Sequence, residues 1–553
     1  MKQVDIFCEN TGLEYKYPMG TSLLEISQDL NIEMGNTVCG AVVNHQVKEL
    51  SFCVVKSKKV DFIDVSHPDG IRMYIRSLIF VLYAAVKEVF PHVALRIQKG
   101  ISNGYYCELN GLERKITEAD IMAIKKVMNR LIAQDIPFIK KGMLTEEVID
   151  LLMKQGLEDK ARLFEQQGNL FSSLYFLSDL GNYFYGHLLP STGFIAKYGL
   201  VAYFDGLLLQ IPDTGDFTQL QKVERLDKLF GIYQEHKDWA EILNVSTISH
   251  LNDFTLNKQG GDIIKISEAL HEKRIAEIAN VIYARQDIKV VLIAGPSASG
   301  KTTFSKRLGV QLAVNGMHPI QISIDNYFVD REKTPLDEHG NYDFEALEAI
   351  DIEFFNQQLI ELFAGKEIRL PKFDFNRGRR YMNGDKLKLN KGDILIIEGI
   401  HGMNPNLLPH VNKENTFKIF ISALTQISFD EHTHISTADN RLIRRIIRDS
   451  KYRGYLAAET IKRWPSVRRG EDKNIFPYQE NADVMFNSAT LYELAVLKKY
   501  ADPLLKMVLE NQKEYIESTR LLKFLSYFKP IDDEEIPPTS LLREFLGGSS
   551  FIY

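Results

Sequence analysis

A chain of 553 residues is longer than one hydrophobic core can serve, so several domains are expected. An apolar content of 45% with 25% charged residues is that of an ordinary soluble globular protein, and a net charge of −6 excludes a global basic field for nucleic acid. No apolar run reaches the length of a bilayer span; the best candidate, Ser77 to Val86, is too short and is followed by Lys87 and Glu88. The start, MKQVDIFCENTG, lacks the apolar core of a secretion signal. Cys8, Cys39, Cys53 and Cys107 have no C-x-x-C spacing and read as reduced thiols, so a cytoplasmic location is expected.

Residues 1–63 alternate short β-like runs with one helix. KQVDIF and LEYKYP flank a turn at Asn10-Thr11-Gly12, a hairpin signal, and Thr21 or Ser22 can cap the amphipathic SLLEISQDL. Strand-like CGAVVN and KVDFIDV follow, giving the pattern of a small β-grasp module. The phrases YPMGTSLLEISQDL and CGAVVNHQVKELSF resemble the TGS domain that opens threonyl-tRNA synthetases. Residues 64–225 continue the resemblance: LYAAVKEVFPHVALRIQKGISNGYYCELN, ITEADIMAIKKVMNRLIAQDIPF and LLPSTGFI are similar to the second, editing domain of those enzymes. That resemblance implies a metal site built from an H-x-x-x-H pair with a later Cys and His. Here those positions hold Arg76, Phe80, Phe184 and Leu188, so the fold is expected without the hydrolytic chemistry. His67 and His187 remain, and lone histidines are more often core or surface residues than ligands.

Residues 226–286 are polar and read as a helical connector. The run Ser267 to Gln286 has Leu270, Ile275, Ile278 and Ile282 at helical spacing. A kinase-like part is expected over 287–495, and a helical extension over 496–553.

The richest signal opens that kinase-like part. Lys289 to Ala294 is an apolar, β-rich run that feeds GPSASGKTT, residues 295–303, and then the helix-forming FSKRLGVQLAV. This is the strand, loop and helix order of a phosphate cradle. Gly295 and Gly300 let backbone N–H groups point into one concavity, to which Ser297, Ser299 and Thr303 also contribute. Lys301 places a cation beside the β- and γ-phosphates, and Thr302 offers a hydroxyl to Mg²⁺. In ISIDNYF an alternating run ends in Asp325, which would face the terminal phosphate from a neighbouring strand end. A carboxylate there can accept the proton of an attacking hydroxyl or help to hold Mg²⁺. A third strand, DILIIEGIHG, is apolar throughout and ends in Glu398, which suits a ligand of Mg²⁺ through water. Farther on, Arg441, Arg444, Arg445 and Arg448 fall at i, i+3, i+4 and i+7 and make one helix face. Clustered guanidiniums call for anions, so this helix is expected to be a lid over the transferring phosphoryl group.

The ordered motifs GPSASGKTT, IDNYF, NYDFEALEAID, LPKFDFNRGRR, ILIIEGIHG and RLIRRIIRD resemble the uridine kinase family, within the uridine kinase and phosphoribulokinase group. The resemblance implies transfer of the γ-phosphoryl of ATP or GTP, with Mg²⁺, to the 5′-hydroxyl of uridine or cytidine. It makes Asp325 the catalytic base with Lys301, Arg445 and Arg448, and places Thr302, Glu398 and Asp325 around the metal. It gives the substrate Tyr327, Asp343 (on the ribose hydroxyls), Phe373 and Phe375 (lining the base pocket), Arg380, Arg445 and Arg453. The chain departs from the pattern at Phe373, where the family has Tyr, at Gly378, where it has a base-contacting His, and at Tyr455, where it has a lid Arg. Arg377, Arg379 or Arg380 are candidate replacements, and the segment between Phe420 and Arg441 runs longer than in typical members.

The fold class read from the chain is therefore multidomain α/β and α+β: β-grasp, editing-like domain, P-loop kinase with helices on both faces of a parallel sheet, and a helical C-terminus. The partner is a small nucleoside, with no membrane and no nucleic acid expected and a homo-oligomer left open. A sugar-phosphate kinase of phosphoribulokinase type is one alternative, favoured by the extra arginines. A nucleotide-regulated tRNA- or RNA-associated protein is another. Asn390-Lys391-Gly392-Asp393 matches the guanine-reading motif of switch GTPases, but it precedes its strand and so falls at the wrong sheet edge.

Overall fold

Val4, Ile6 and Cys8 alternate along the strand Gln3–Cys8 and turn one face into a core. In the computed structural model, which describes residues 2–552 apart from Thr214, Gln286 and Asn376, this strand belongs to a five-stranded sheet. The strand order is Leu13–Pro18, Gln3–Cys8, Lys58–Ile63, Gly40–Val43 and Gln46–Glu49. The expected hairpin is present, and Ser22 caps the helix Leu23–Asp29 in a reciprocal box with Glu25.

The editing-like half is built on the buried helix Pro68–Val89 and two antiparallel sheets. Four strands pair in the order Gly199–Tyr203, Gly206–Gln210, Gly104–Asn110 and Ala94–Ile101; three more pair as Leu180–Asn182, Phe171–Leu177 and Phe138–Leu144. The positions that would carry a metal site are filled by packing. Phe80 lies 5.6 Å from Phe184 and 5.8 Å from Phe138, ring centre to ring centre, and Leu188 is buried beside them.

Near-continuous apolar sequence makes the third sheet parallel and buried on both faces. Its order is His318–Ser323, Asp393–Glu398, Val290–Ala294, Thr416–Ser422 and Val484–Asn487, all parallel. Val290, Leu292 and Ala294 face one core layer, with the helix Ile352–Phe363; Val291 and Ile293 face the other. That second layer holds the loop helix Lys301–Val314 and the long helix Gly260–Ala284, through Ile275, Ile278 and Ile282. The connector helix thus covers the sheet as one of its layers. Gln286, at the end of the expected helical run, lies outside the described residues. The helix Glu493–Lys506 packs against the helix Thr437–Arg453, and Tyr515–Leu525 against Glu493–Lys506, so that Leu521 and Phe524 share one apolar cluster with Leu442, Ile443 and Ile446. Among the described residues no helix is long and apolar enough to cross a membrane.

The long segment before Arg441 has a structural role that the sequence alone did not reveal. Residues 423–436 leave the kinase sheet and dock into the editing-like half. The amide of Ile97 donates to the Glu431 carbonyl (2.9 Å) and that of Asp159 to the Glu431 carboxylate (2.8 Å). Lys160 lies 3.6 Å from Asp430, both fully buried, and 2.9 Å from the His432 ring. Tyr83 packs on His432 and Tyr185 on Phe429. Burial, with Asp430 and Asp159 adding and Lys160 opposing, pushes the Glu431 carboxyl up to about 7. The segment is a polar strut between the two halves. Removing one member of a buried ion pair strands the other, so Lys160→Met should lower stability by about 3 kcal/mol in urea unfolding followed by fluorescence. Lys160→Met with Asp430→Leu should recover most of that loss.

Candidate active site

The strand register sets the site. Glu398 sits level with Ile293 on one neighbour and Ser323 on the other, so three strands end together. Past Ala294 the loop turns sharply: Ala298 and Gly300 have φ of 58° and 84°, in the left-handed region. Gly295 has no room for a side chain, since a Cβ there would lie 2.0 Å from the Ile421 carbonyl oxygen. Glycine is required at that position because the loop crosses the adjacent strand at backbone contact. The N-K-G-D run, by contrast, begins its strand at the opposite end of the sheet.

Thr302 and Ser323 both place hydroxyls on one oxygen of Glu398, at 3.5 and 2.7 Å. Asp325 follows Ser323 in a short 3-10 turn, Ile324–Tyr327, rather than in the strand itself. Burial pushes the Glu398 carboxyl up to about 7; Asp325 adds to the shift, while Lys301 and the Ser323 hydroxyl oppose it. Lys301 donates to the Pro296 carbonyl at 3.1 Å. Burial pushes its pKa down, against the pull of Glu398, Asp325 and Glu544, with Arg448 acting alongside burial. Lysine, aspartate and glutamate therefore share one electrostatic neighbourhood. His401, three residues beyond Glu398, joins them. Its Nε2 lies 3.2 Å from the Ala346 carbonyl, its Nδ1 is buried without a partner among the described residues, and burial pulls it down to about 4.

The arginine helix Thr437–Arg453 corrects one expectation: it is packed beneath the loop and is no free lid. Arg441 and Arg444 are 0% and 1% exposed. Arg441 donates from Nε to the Ser297 carbonyl (2.8 Å) and pairs with Glu471, which accepts from the Ser297 amide (2.9 Å). Arg444 pairs with Glu493 and reaches the Ser488 carbonyl at 2.9 Å. Half of the predicted anion-binding face is thus neutralised inside the protein by carboxylates 30 and 49 residues away. Arg445 and Arg448 remain at the site edge, sharing Asp449, and Arg445 also holds the Ser297 hydroxyl at 2.9 Å. Ser299 is fully buried under the loop with an unbonded hydroxyl among the described residues.

On the acceptor side, Phe373 and Phe375 pack edge to face at 5.2 Å, and Phe328 joins them. Arg453 lies over the Phe375 ring at 5.0 Å, and its guanidinium is drawn down to about 10, first by Arg448 and then by burial. Asp343 accepts from the Glu345 amide at 3.1 Å, and a Cβ on Gly470 would stand 3.2 Å from it. Two expected substrate contacts are displaced. Tyr327 is 1% exposed, with its hydroxyl on Gln358 at 2.8 Å and its ring on Phe355, so it belongs to the core. Arg380 is taken by Asp351 at 2.8 Å and stacks on Phe354. Arg377 and Arg379 pair with Asp374 and Glu332 on the surface. The residue that fills the space beside Gly378 is Arg331: a Cβ on Gly378 would meet its Nε at 2.7 Å, and its Nη2 donates to the Phe375 carbonyl at 2.6 Å. Asn376 of the same motif lies outside the described residues.

Glu544, from the last turn of the chain, enters the loop. Its carboxylate accepts from the Thr303 amide (3.3 Å) and hydroxyl (2.7 Å), while Leu541 packs on Gly300. A carboxylate at a helix N-terminus satisfies the same donors that bind a phosphate oxygen.

Comparison with known proteins gives separate matches for two parts of the chain. The model of the Phosphoribulokinase / Uridine kinase family matches residues 290–495. The N-terminal region matches threonine–tRNA ligases; that of Desulforamulus reducens is 27% identical over 192 residues, which is 34% of this chain and 30% of the ligase. The chain thus spans less than a third of the length of such relatives. A solved structure described as a possible uridine kinase from Bacillus stearothermophilus is 22% identical, with a TM-score of 0.27 over 39% of this chain and 98% of that one. D-glycerate 3-kinase from Cryptococcus neoformans is 11% identical, with a TM-score of 0.22 over 46% and 87%. Residues 290–495 form a P-loop domain of the sugar and nucleoside kinase kind.

Because Glu544 holds donors that a phosphate would use, Glu544→Gln should tighten nucleoside triphosphate binding at least about threefold, measured by calorimetry. Unchanged affinity would show that the carboxylate does not compete. Glu345 offers a separate check on the arginine cluster. Burial, with Glu471 and Asp343 adding and Arg445 opposing, raises it from 4.5 to about 8. A raised carboxyl contributes stability that is complete below its unfolded pKa and lost as pH rises through the folded one. The thermal midpoint should therefore fall more between pH 5 and 8.5 in the parent chain than in Glu345→Gln.

Proposed function

We propose that this chain transfers the γ-phosphoryl group of ATP or GTP to the 5′-hydroxyl of a pyrimidine ribonucleoside. The observation that supports it best is the meeting of Lys301, Thr302, Asp325 and Glu398 at one end of a parallel sheet, on a loop shaped for phosphate. Asp325 accepts the proton of the acceptor hydroxyl as its oxygen bonds to the γ-phosphorus and the bond to the β-phosphate bridge oxygen breaks. Lys301, Arg445 and Arg448 supply fixed positive charge to the phosphoryl oxygens. The donor set fits a small divalent cation: Glu398 is a carboxyl raised first by burial and then by Asp325, with two hydroxyls beside it and one lysine as counter-charge. Thr302, Glu398 and Asp325 would hold Mg²⁺, which when bound neutralises charge on the β- and γ-oxygens.

For the acceptor, the Phe328, Phe373 and Phe375 wall suits a planar base, and Asp343 suits ribose hydroxyls, which an ionised carboxylate can take in pairs. Arg331 beside Gly378 supplies donors where the family pattern has an imidazole. A second reading, a sugar-phosphate acceptor, is favoured by Arg453 on the face of Phe375, where a cation occupies part of the stacking surface. The test is a panel of nucleosides and sugar phosphates with labelled ATP. Uridine and cytidine should yield their 5′-monophosphates, and Lys301→Met or Asp325→Asn should each lower kcat about 10³-fold with the fold intact. Turnover retained in Asp325→Asn rejects the assigned base, and labelled sugar bisphosphate selects the second reading.

A further inference from the structure

A cavity of about 600 Å³ lies where the helix Pro68–Val89 of the synthetase-like half meets the arginine helix, the helix Ala457–Asn474 and the helix Tyr515–Leu525. That volume is in the range of small-molecule sites, about 300–1,000 Å³. Ile75, Ile79, Phe184, Leu442, Trp464 and Ile516 give it apolar walls. Most of its charges are already matched. Arg72 holds Asp69 and Glu517, each at 3.1 Å; Arg520 holds Asp439 at 2.7 Å and Glu517 at 2.6 Å; Arg468 holds Glu471 at 3.1 Å.

Among the lining cations that are not exposed, Arg76 is the exception. It donates to the His187 carbonyl at 3.3 Å and stacks on Tyr185 at 5.2 Å, and among the described residues no carboxylate lies within ion-pair distance. Burial pushes its pKa down, with the cations Arg72 and Arg520 adding and Tyr185 and the Asp69 carboxylate opposing at longer range. Space has been kept for it: a Cβ on Gly186 would lie 2.2 Å from the guanidinium carbon, so only glycine allows this placement. A half-buried guanidinium with no anion in contact has unmet donors, and its planar fork matches a carboxylate or other oxyanion with two donors.

We infer that this interdomain cavity is an effector site for a small organic anion, with a ring-sized apolar body between its walls and an oxyanion group on Arg76. The same walls lead to the phosphate loop. Trp464 lies 5.3 Å from the Arg441 guanidinium, and Arg468 pairs with Glu471. Arg441 and Glu471 together hold the Ser297 carbonyl and amide. Occupancy of the cavity therefore acts on the loop in two steps, from Trp464 and Arg468 in its wall to Arg441 and Glu471 on Ser297. This coupling, though not the binding, rests on the phosphoryl-transfer reading.

The probe is 8-anilinonaphthalene-1-sulfonate, an aromatic body with one anionic group, with neutral N-phenyl-1-naphthylamine as control, each titrated into the full chain. One saturable sulfonate site is expected. Arg76→Met should weaken the sulfonate about tenfold and the neutral dye less than about twofold, while Arg76→Lys keeps most of the sulfonate affinity. Ile516→Trp, which narrows the cavity without touching the cation, should weaken both dyes. The site is overturned by absence of a saturable sulfonate site, by equal weakening of both dyes in Arg76→Met, by an unchanged sulfonate affinity there, or by no effect of Ile516→Trp. Saturating sulfonate should shift ATP affinity by the same factor as ATP shifts sulfonate affinity. An unshifted ATP affinity with Arg76-dependent dye binding intact overturns the coupling. Failure of the chain to bind ATP at all counts against the phosphate-loop reading and leaves the dye result standing.

Discussion

The structure turns on the buried pair of Arg441 and Glu471 beneath the phosphate loop. Two charges withdrawn from water gain little from each other unless their remaining donors and acceptors are satisfied as well. Here the loop supplies two of those partners, since the Ser297 carbonyl takes the Arg441 Nε–H and the Ser297 amide gives its hydrogen to Glu471, whose other oxygen is held by Arg468; Arg441 Nη1 has no partner among the described residues. The loop is therefore held from below by two side chains before any phosphate arrives. A cradle fixed in this way loses little freedom when it binds, which is what electrostatic stabilisation of a transferring group requires. The left-handed backbone at Ala298 and Gly300 is one consequence, since the turn must bring Ser297 down to the helix and Lys301 back up to the site.

From this pair the rest of the C-terminal architecture follows. The helix that carries Arg441 must be immobile, and it is clamped on its other face by Leu442, Ile443 and Ile446 against the C-terminal helices. Arg444, one turn on, repeats the arrangement with Glu493, the first residue of the helix Glu493–Lys506. Phe545 covers the Arg444 guanidinium, and the next residue back, Glu544, is thereby placed on Thr303. The end of the chain thus completes the underside of the phosphate loop.

The sequence made the strand–loop–helix order and the three converging strand ends readable because each is local: an apolar run, a glycine spacing, a terminal acid. The same logic put Arg441, Arg444, Arg445 and Arg448 on one helix face, and that face exists. Periodicity says which residues share a face and says nothing about what the face meets. Glu471 and Glu493 are too far along the chain to be recognised as partners, so a structural base looked like a mobile lid. Tyr327 failed for a related reason: the 3-10 turn after Ser323 rotates it away from Asp325 and into the core against Phe355. Arg331 was invisible because only the left-handed turn at Gly378 brings it there. In the N-terminal half the sequence showed which residues, Arg76, Phe80, Phe184 and Leu188, stand at the positions the resemblance gives to a metal, but not that the last three share one core. The strut at residues 423–436 showed only as excess length.

That strut explains how two halves that resemble different proteins stay in one geometry. An apolar interface would resist separation but tolerate sliding, since hydrophobic attraction has no direction. The strut instead seats Asp430, Glu431 and His432 among Lys160, Asn182 and the amides of Ile97 and Asp159, which take one side-chain atom of each, while Asp430 Oδ2, Glu431 Oε2 and His432 Nε2 have no partner among the described residues. A displacement of a few ångströms would leave several buried polar groups unpaired, each at a cost of about 1–3 kcal/mol. The helix Thr437–Arg453 begins immediately after the strut, so its axis is registered to the N-terminal half at one end and to the phosphate loop along its length. A change in how the halves meet at the strut reaches the loop through this helix. A rigid rod with polar fixings at both ends transmits such a change; a greasy contact would dissipate it.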